Sequence, residues 1–119
     1  FHGTADTFVP YNGFKDVRQT FIRVRSVDDT LKTWARANGC GKPGDAQKLP
    51  DTAPDDETTV TRKVWPAGPG GAEVILYTIQ NGGHTWPGRT LGRTRLGKST
   101  RDISANDVIW DFFKKHPMK

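Results

Sequence analysis

The sequence predicts an α/β fold in which two helices pack on a β-sheet. Two runs of β-prone residues, 58–65 and 73–79, predict two strands. Two amphipathic patterns, which begin at Ser26 and Ser104, predict two helices. The apolar face of the second helix needs a sheet to cover it, so we expect the helices and strands to form one layered unit.

Length and composition predict one soluble domain. A chain of 119 residues can bury one modest core, but it is too short for two domains. Only 34% of the residues are hydrophobic, yet four Trp and six Phe argue against a disordered chain. No apolar run approaches the roughly 20 residues that a membrane span needs, so no membrane partner is expected.

The first residues are typical of the end of a strand. The sequence from His2 to Asp6 begins abruptly and leads into a loop at 7–13, which carries Pro and Asn-Gly turn residues. We therefore expect the first part of this strand to be missing and the chain to be truncated. Residues 14–25 show mixed patterning and predict no single element.

The first helix is predicted from its caps and its apolar spacing. Ser26 suits the N-cap, acids occupy the first turn, and Gly39 supplies a left-handed residue at the end. The apolar stripe comprises Val27, Leu31, Trp34 and Ala35. Residues 41–57 then predict a long surface connection. Its acids lack the spacing of a calcium loop, so no metal site is predicted.

An antiparallel strand pair and a closing helix complete the predicted elements. Turn-forming residues at 66–71 join the strands at 58–65 and 73–79, and the second strand is predicted to be mostly buried. Ser104 suits the N-cap of the last helix. The apolar stripe of that helix comprises Val108, Ile109, Phe112 and Phe113.

The stretch 79–88, just after the second strand, contains His84 as a candidate catalytic base. Gly82 and Gly83 permit a tight reversal of the backbone, and Trp-Pro-Gly at 86–88 stiffens the exit from the loop. A fixed loop of this kind can hold a catalytic histidine. The pattern fits equally well a turn histidine that only hydrogen-bonds a backbone carbonyl.

Asp6 is the predicted partner of His84. Both residues follow predicted strand ends, and loops that leave parallel strands gather at one edge of an open sheet. A carboxylate there can orient an imidazole and stabilise its protonated form, as in a triad of nucleophile, base and acid. The nucleophile itself is missing, because none of the three serines lies in a G-x-S-x-G elbow and Cys40 has no activating neighbour.

The net charge of +5 resides in one basic loop at 89–101. Its five cations, with no acid among them, are Arg89, Arg93, Arg95, Lys98 and Arg101. The loop is either solvated or contacts an anion, so the alternative to an enzyme is a non-catalytic binding module that uses it. It has no interleaved aromatic residues, and no nucleic-acid partner is predicted.

Residues 92–99 match the nucleotide-binding pattern G-x-x-x-x-G-K-S. The pattern works where a buried strand enters the loop and a helix starts at the Lys-Ser pair, so that backbone amides meet the phosphates. Neither element is predicted at 92–99. Nucleotide binding is therefore disfavoured, and no cofactor is predicted.

Several segments, taken together and in order, extend over nearly the whole chain as one composite pattern. They are His-Gly-Thr-Ala-Asp at 2–6, Val-Pro-Tyr at 9–11, Trp-Ala-Arg-Ala-Asn-Gly-Cys at 34–40, Gly-Gly-His-Thr-Trp-Pro-Gly at 82–88 and Val-Ile-Trp-Asp-Phe-Phe at 108–113. This combination resembles the C-terminal half of the polyhydroxybutyrate depolymerase and feruloyl esterase family of α/β-hydrolases.

The resemblance implies the C-terminal portion of an α/β-hydrolase fold, with Asp6 as triad acid and His84 as triad base. It implies a secreted serine carboxylesterase for hydroxycinnamoyl or hydroxyalkanoate esters. Trp86 would then line the acyl pocket or pack beneath its loop. The family order is Ser, Asp, His, so the serine elbow and the oxyanion hole would lie upstream of Phe1. We therefore expect this chain alone to be inactive and, without the N-terminal part, only marginally stable.

The chain departs from the family at two positions. Many relatives pair a cysteine at the position of Cys40 with one in the turn before the last strand. The corresponding turn here, 66–71, contains no cysteine, so that disulfide cannot form. Thr7 stands where relatives often have proline, and we expect this change to be tolerated.

Overall fold

The computed structural model describes residues 1–14, 23–90 and 95–117. Its elements are, in chain order, β1 His2–Gly3, α1 Val27–Ala37, β2 Gln47–Lys48, a 3₁₀ turn Pro54–Asp56, β3 Thr59–Trp65, β4 Val74–Gln80 and α2 Ala105–Lys115. The four strands form one mixed sheet in the order β1-β4-β3-β2. Both predicted helices and both predicted strands are present, and the strand bounds shift by one residue.

The strand β4 lies inside the sheet and carries the site at its end. It pairs antiparallel with β3 along its whole length, from Thr59 opposite Gln80 to Trp65 opposite Val74, as predicted. On its other side, β1 runs parallel to it and pairs only with residues 78 and 79. β1 and β4 therefore deliver their following loops to the same end of the sheet.

The helix α1 covers one face of the sheet. Ser26 caps it by accepting a hydrogen bond from the Asp29 amide, and Gly39 follows the helix with a φ of 62°, both as predicted. The buried cluster consists of Val27, Ala35, Trp65 and Leu76. Trp34 differs from the prediction, since 60% of its surface is exposed. It lies about 100° round the helix from Ala35, at the margin of the buried stripe.

The helix α2 borders the opposite face of the sheet. Leu76 faces α1, so its neighbours Ile75 and Tyr77 point the other way. Together with the apolar residues of α2, Ile75 and Tyr77 line a groove of about 560 Å³. Phe113, a member of the predicted apolar stripe, is 59% exposed, so the sheet covers that stripe only in part. β4 is also less buried than predicted, because most of its side chains are half-buried.

The predicted surface connection at 41–57 contains two short elements that the sequence analysis did not anticipate. β2 pairs antiparallel with β3 at the sheet edge, and the 3₁₀ turn follows it. Gln47 and Lys48 are both exposed, so β2 lacks the apolar alternation that predicts a strand. Of the residues left open at 14–25, those at 15–22 lie outside the described part. None of the helices in the described ranges has the length and apolar character needed to cross a membrane.

Candidate active site

His84 lies in a loop that leaves the end of β4 and is fastened to a distant segment. Gly83 donates its amide to the Lys98 carbonyl at 2.9 Å, and His84 donates its amide to the Leu96 carbonyl at 2.7 Å. A Cβ on Gly83 would lie 2.0 Å from the Leu96 oxygen. This glycine therefore serves a close approach of two backbones, in addition to the predicted tight reversal, in which the Gly82 amide donates to the Ile79 carbonyl at 3.1 Å.

Asp6 lies beside His84 in the loop after β1. Both loops leave the same end of the sheet because β1 and β4 are parallel. The Ala5 amide donates to the Gly82 carbonyl at 2.9 Å and joins the two loops directly. The structure thus brings together two candidate residues that lie 78 positions apart in the chain.

The Asp6 carboxylate uses both of its oxygens. Oδ2 lies 2.9 Å from Nδ1 of His84. Oδ1 accepts hydrogen bonds from the backbone amides of Phe8 at 2.9 Å and Val9 at 2.8 Å. Only 6% of the Asp6 side chain is exposed. The carboxylate is therefore held in one orientation by three donors.

These donors keep Asp6 ionised. Burial by itself would raise the pKa of Asp6, because it penalises the charged form. The hydrogen bonds from the Val9 amide, the His84 ring and the Phe8 amide outweigh burial, so the pKa of Asp6 lies below its usual range. An ionised carboxylate can only accept hydrogen bonds, and this places the proton on Nδ1 of His84.

The other ring nitrogen of His84 is available to a ligand. The His84 side chain is 49% exposed, and Nε2 makes no hydrogen bond to any residue in the ranges the structure describes. A cavity of about 470 Å³ opens beside the ring, and its lining includes Asp6, His84, Trp86 and Thr100. A proton on Nδ1 and an exposed Nε2 together suit a general base.

Trp86 borders the same cavity, two residues after His84. Its indole Nε1 donates to Oδ1 of Asn106 on α2 at 3.0 Å, and 47% of the residue is exposed. The ring is anchored at its polar end and leaves much of its apolar surface open. Whether this surface receives a substrate stays a prediction.

Phe8 is an aromatic neighbour of His84 that the sequence analysis did not identify. Its ring centroid lies 5.5 Å from that of His84, with an angle of 39° between the planes, and 53% of the residue is exposed. It is placed there by the turn in which Asp6 accepts the amides two and three residues later. That Asp-centred turn is a recognisable local pattern, and it could have drawn attention to Phe8.

The three serine hydroxyls and the Cys40 thiol are engaged in structural contacts. Ser26 and Ser104 accept amide hydrogen bonds as helix N-caps, as predicted. Ser99 is 9% exposed and donates to the Trp86 carbonyl at 3.1 Å. Cys40 packs against the core cluster and donates to the Ala72 carbonyl at 3.4 Å. In this arrangement none of the three serines is aligned with His84 as a nucleophile.

Two cations of the basic loop are paired with acids from the 41–57 connection. Lys98 contacts Glu57, and Arg101 contacts Asp55. The G-x-x-x-x-G-K-S match also lacks the helix it needs, because α2 begins only at Ala105. Within the described ranges, no group of three or more His, Cys, Asp or Glu side chains could hold a metal ion.

The chain is similar to a protein named "Putative esterase NocK" from Nocardia uniformis subsp. tsuyamanensis. The two are 26% identical over 121 residues, which cover 93% of this chain and 35% of that protein. The chain thus spans about a third of the length of this relative. No protein-family model matches the chain, and no solved structure matches it. The similarity agrees with an esterase and does not specify a substrate.

Proposed function

We propose that the chain supplies the acid and the base of a serine carboxylic ester hydrolase. The observation that carries this proposal is the 2.9 Å contact between Asp6 Oδ2 and His84 Nδ1, with Nε2 of the ring left open beside a cavity. The similarity to a protein with an esterase name supports the reaction class.

In the proposed mechanism, His84 transfers protons and Asp6 keeps its ring oriented. Nε2 takes the proton of a serine hydroxyl as that oxygen attacks the ester carbonyl. The imidazolium that forms is stabilised by the ionised Asp6 and then gives its proton to the leaving alcohol. Water repeats the sequence on the acyl-enzyme and releases the acid.

The nucleophile in this proposal comes from polypeptide upstream of Phe1, which forms the N-terminal part of an α/β-hydrolase domain. Each of the three serines in this chain already has a structural hydrogen bond. Two thirds of the relative has no counterpart in this chain, which leaves room for an elbow and an oxyanion hole. The family resemblance further suggests a secreted enzyme.

For the substrate we propose an ester of a hydroxycinnamic or a hydroxyalkanoic acid. The exposed ring of Trp86 offers an apolar and aromatic surface next to the reacting nitrogen. A planar cinnamoyl group can stack on such a ring. Preference for methyl ferulate over a hydroxybutyrate ester would therefore depend on Trp86.

Hydrolysis of a short p-nitrophenyl ester and of methyl ferulate tests the proposal. The 119-residue chain is compared with a version extended upstream through a serine elbow. We expect turnover by the extended chain only, because the short chain has no aligned nucleophile. Turnover by the short chain alone would contradict the assignment of an upstream serine. Inactivity of both would favour a binding module that uses the basic loop 89–101.

A further inference from the structure

The segment 96–102 lies between the His84 loop and the 41–57 connection and is hydrogen-bonded to both. We call this segment the strap. It contains residues 96–99 of the G-x-x-x-x-G-K-S match, which lacks the helix that nucleotide binding requires. Its inner residues are well buried, since Ser99 is 9% exposed and Thr100 is 1% exposed.

On one side, the strap holds nearly every residue of the His84 loop. The Leu96 carbonyl accepts the His84 amide, and the Lys98 carbonyl accepts both the Gly83 amide and the Thr85 hydroxyl. The Ser99 hydroxyl donates to the Trp86 carbonyl. The Thr100 carbonyl accepts the Gly88 amide at 2.8 Å. A shift of the strap would therefore carry the imidazole with it.

On the other side, two carboxylates fasten the strap. Oδ1 of Asp102 accepts the Thr52 amide at 2.8 Å and the Ala53 amide at 3.1 Å. Oδ2 of Asp56 accepts the Arg101 amide at 2.7 Å, and Oδ1 of Asp56 accepts the Thr58 amide at 2.8 Å. Hydrogen bonds of amides to carboxylates are stronger than those between neutral groups.

The other oxygen of Asp102, Oδ2, is buried and makes no hydrogen bond within the described residues. A buried acceptor without a partner costs free energy, and this cost offsets part of what the hydrogen bonds at Oδ1 contribute to stability. What Asp102 does provide is one well-placed acceptor that connects the strap to the residues at 52 and 53.

We propose that the strap positions His84 over Asp6, and that Asp102 is the positioning residue that anchors the strap. Asp102 acts here through the Leu96 and Lys98 carbonyls and touches neither substrate nor the imidazole. The role in catalysis rests on the proposed esterase function, whereas the positioning itself does not.

Amide hydrogen exchange of the chain extended upstream tests the positioning whether or not that chain hydrolyses esters. In Asp102→Ala, we expect protection of the Gly83 and His84 amides to fall by about tenfold, the size expected for a lost charged hydrogen bond. Protection of β3 and β4 amides should stay unchanged. Asp102→Asn keeps the Oδ1 acceptor and should show the same protection as the wild type. Asp28→Ala removes an exposed carboxylate on α1 and serves as the control.

Two results would overturn the proposal. One is an unchanged exchange rate at Gly83 and His84 in Asp102→Ala. The other is an equal loss of protection throughout the sheet, which would make Asp102 a residue of general stability. If Asp102→Ala does not fold, Asp56→Ala releases the strap at the Arg101 amide, and it also frees the Thr58 amide and hydroxyl that Asp56 Oδ1 accepts. The same two outcomes at the Gly83 and His84 amides then decide.

Kinetics of the extended chain separate this proposal from the proposed function. We expect kcat to fall in Asp102→Ala with KM unchanged, and to recover in Asp102→Asn. If exchange responds as expected but no variant hydrolyses esters, the strap stands and the esterase function fails. If esters are hydrolysed and exchange at Gly83 and His84 does not respond, the strap fails.

Discussion

Asp6 and His84 illustrate how one hydrogen bond can determine a tautomer. The buried carboxylate is held by two backbone amides, so it presents a fixed acceptor to Nδ1. His84 is half exposed, and its Nε2 therefore meets the cavity. The chemistry of the site depends on this difference in burial between the two partners.

Exchange of Asp6 for asparagine tests this role. In Asp6→Asn, the side-chain oxygen can still accept the Phe8 and Val9 amides, but an NH2 group then faces Nδ1. In the extended chain we expect kcat to fall by a factor on the order of 10⁴, as for the same change in serine proteases, with KM little affected. Asp28→Asn, on an exposed ion pair of α1, is the control. An unaltered kcat in Asp6→Asn would refute the orienting role.

Because the pKa of Asp6 is lowered in the fold, we expect the free energy of unfolding to fall as the pH is lowered into the acid range. The unfolded chain binds a proton at this group at higher pH than the folded chain, so ionised Asp6 stabilises the fold. This contribution is complete above about pH 4, the unfolded value. It is lost as the pH falls through the lower folded pKa. Urea unfolding should show a larger difference in the free energy of unfolding between the wild type and Asp6→Asn at pH 6 than at pH 3. Parallel curves for the two proteins would contradict this.

At the scale of elements, the His84 loop and the strap meet through two glycines. A Cβ on Gly83 would clash with backbone atoms of Leu96 and Gly97, which cannot rotate away. We expect Gly83→Ala to lower the free energy of unfolding by about 1–3 kcal/mol, as overpacking does. Gly70→Ala is the matched control, because its Cβ would meet nothing within 4 Å. Equal stabilities of the two variants would show that the strap can move freely.

The elements that could be predicted are those whose sequence carries a local pattern, such as a helix cap or a β-prone run. Caps at Ser26 and Ser104 and the β-prone runs gave both helices and the β3–β4 pair. The positions of Asp6 and His84 after strand ends were enough to bring them to one edge. β2 was missed because its exposed residues carry no apolar pattern, and the strap because its bonds join segments far apart in the chain.

At the scale of the whole molecule, the sheet is partly open beside β4. β1 pairs only with residues 78 and 79, while Ile75 and Tyr77 border the groove that α2 covers in part. Open strand edges and exposed apolar residues promote association. The need for further polypeptide to complete the core stays a prediction.

We therefore expect the isolated 119 residues to self-associate or to be only marginally stable. Sedimentation velocity should show association that Phe113→Lys reduces, because Phe113 is exposed in the groove. Lys48→Glu, at the opposite edge of the sheet, should leave association unchanged. A monomer that unfolds cooperatively and exposes little apolar surface would contradict this expectation.

The most direct test of the central claim is the value of kcat/KM for a p-nitrophenyl ester in the extended chain, measured for two histidine variants. His116 lies outside the site and pairs with Glu73, so His116→Ala controls for the loss of an imidazole. The account predicts that His84→Ala lowers kcat/KM by at least about 10³-fold, the scale of general-base loss in triads, whereas His116→Ala retains activity. Equal activity of the two variants would contradict the assignment of His84 as the catalytic base.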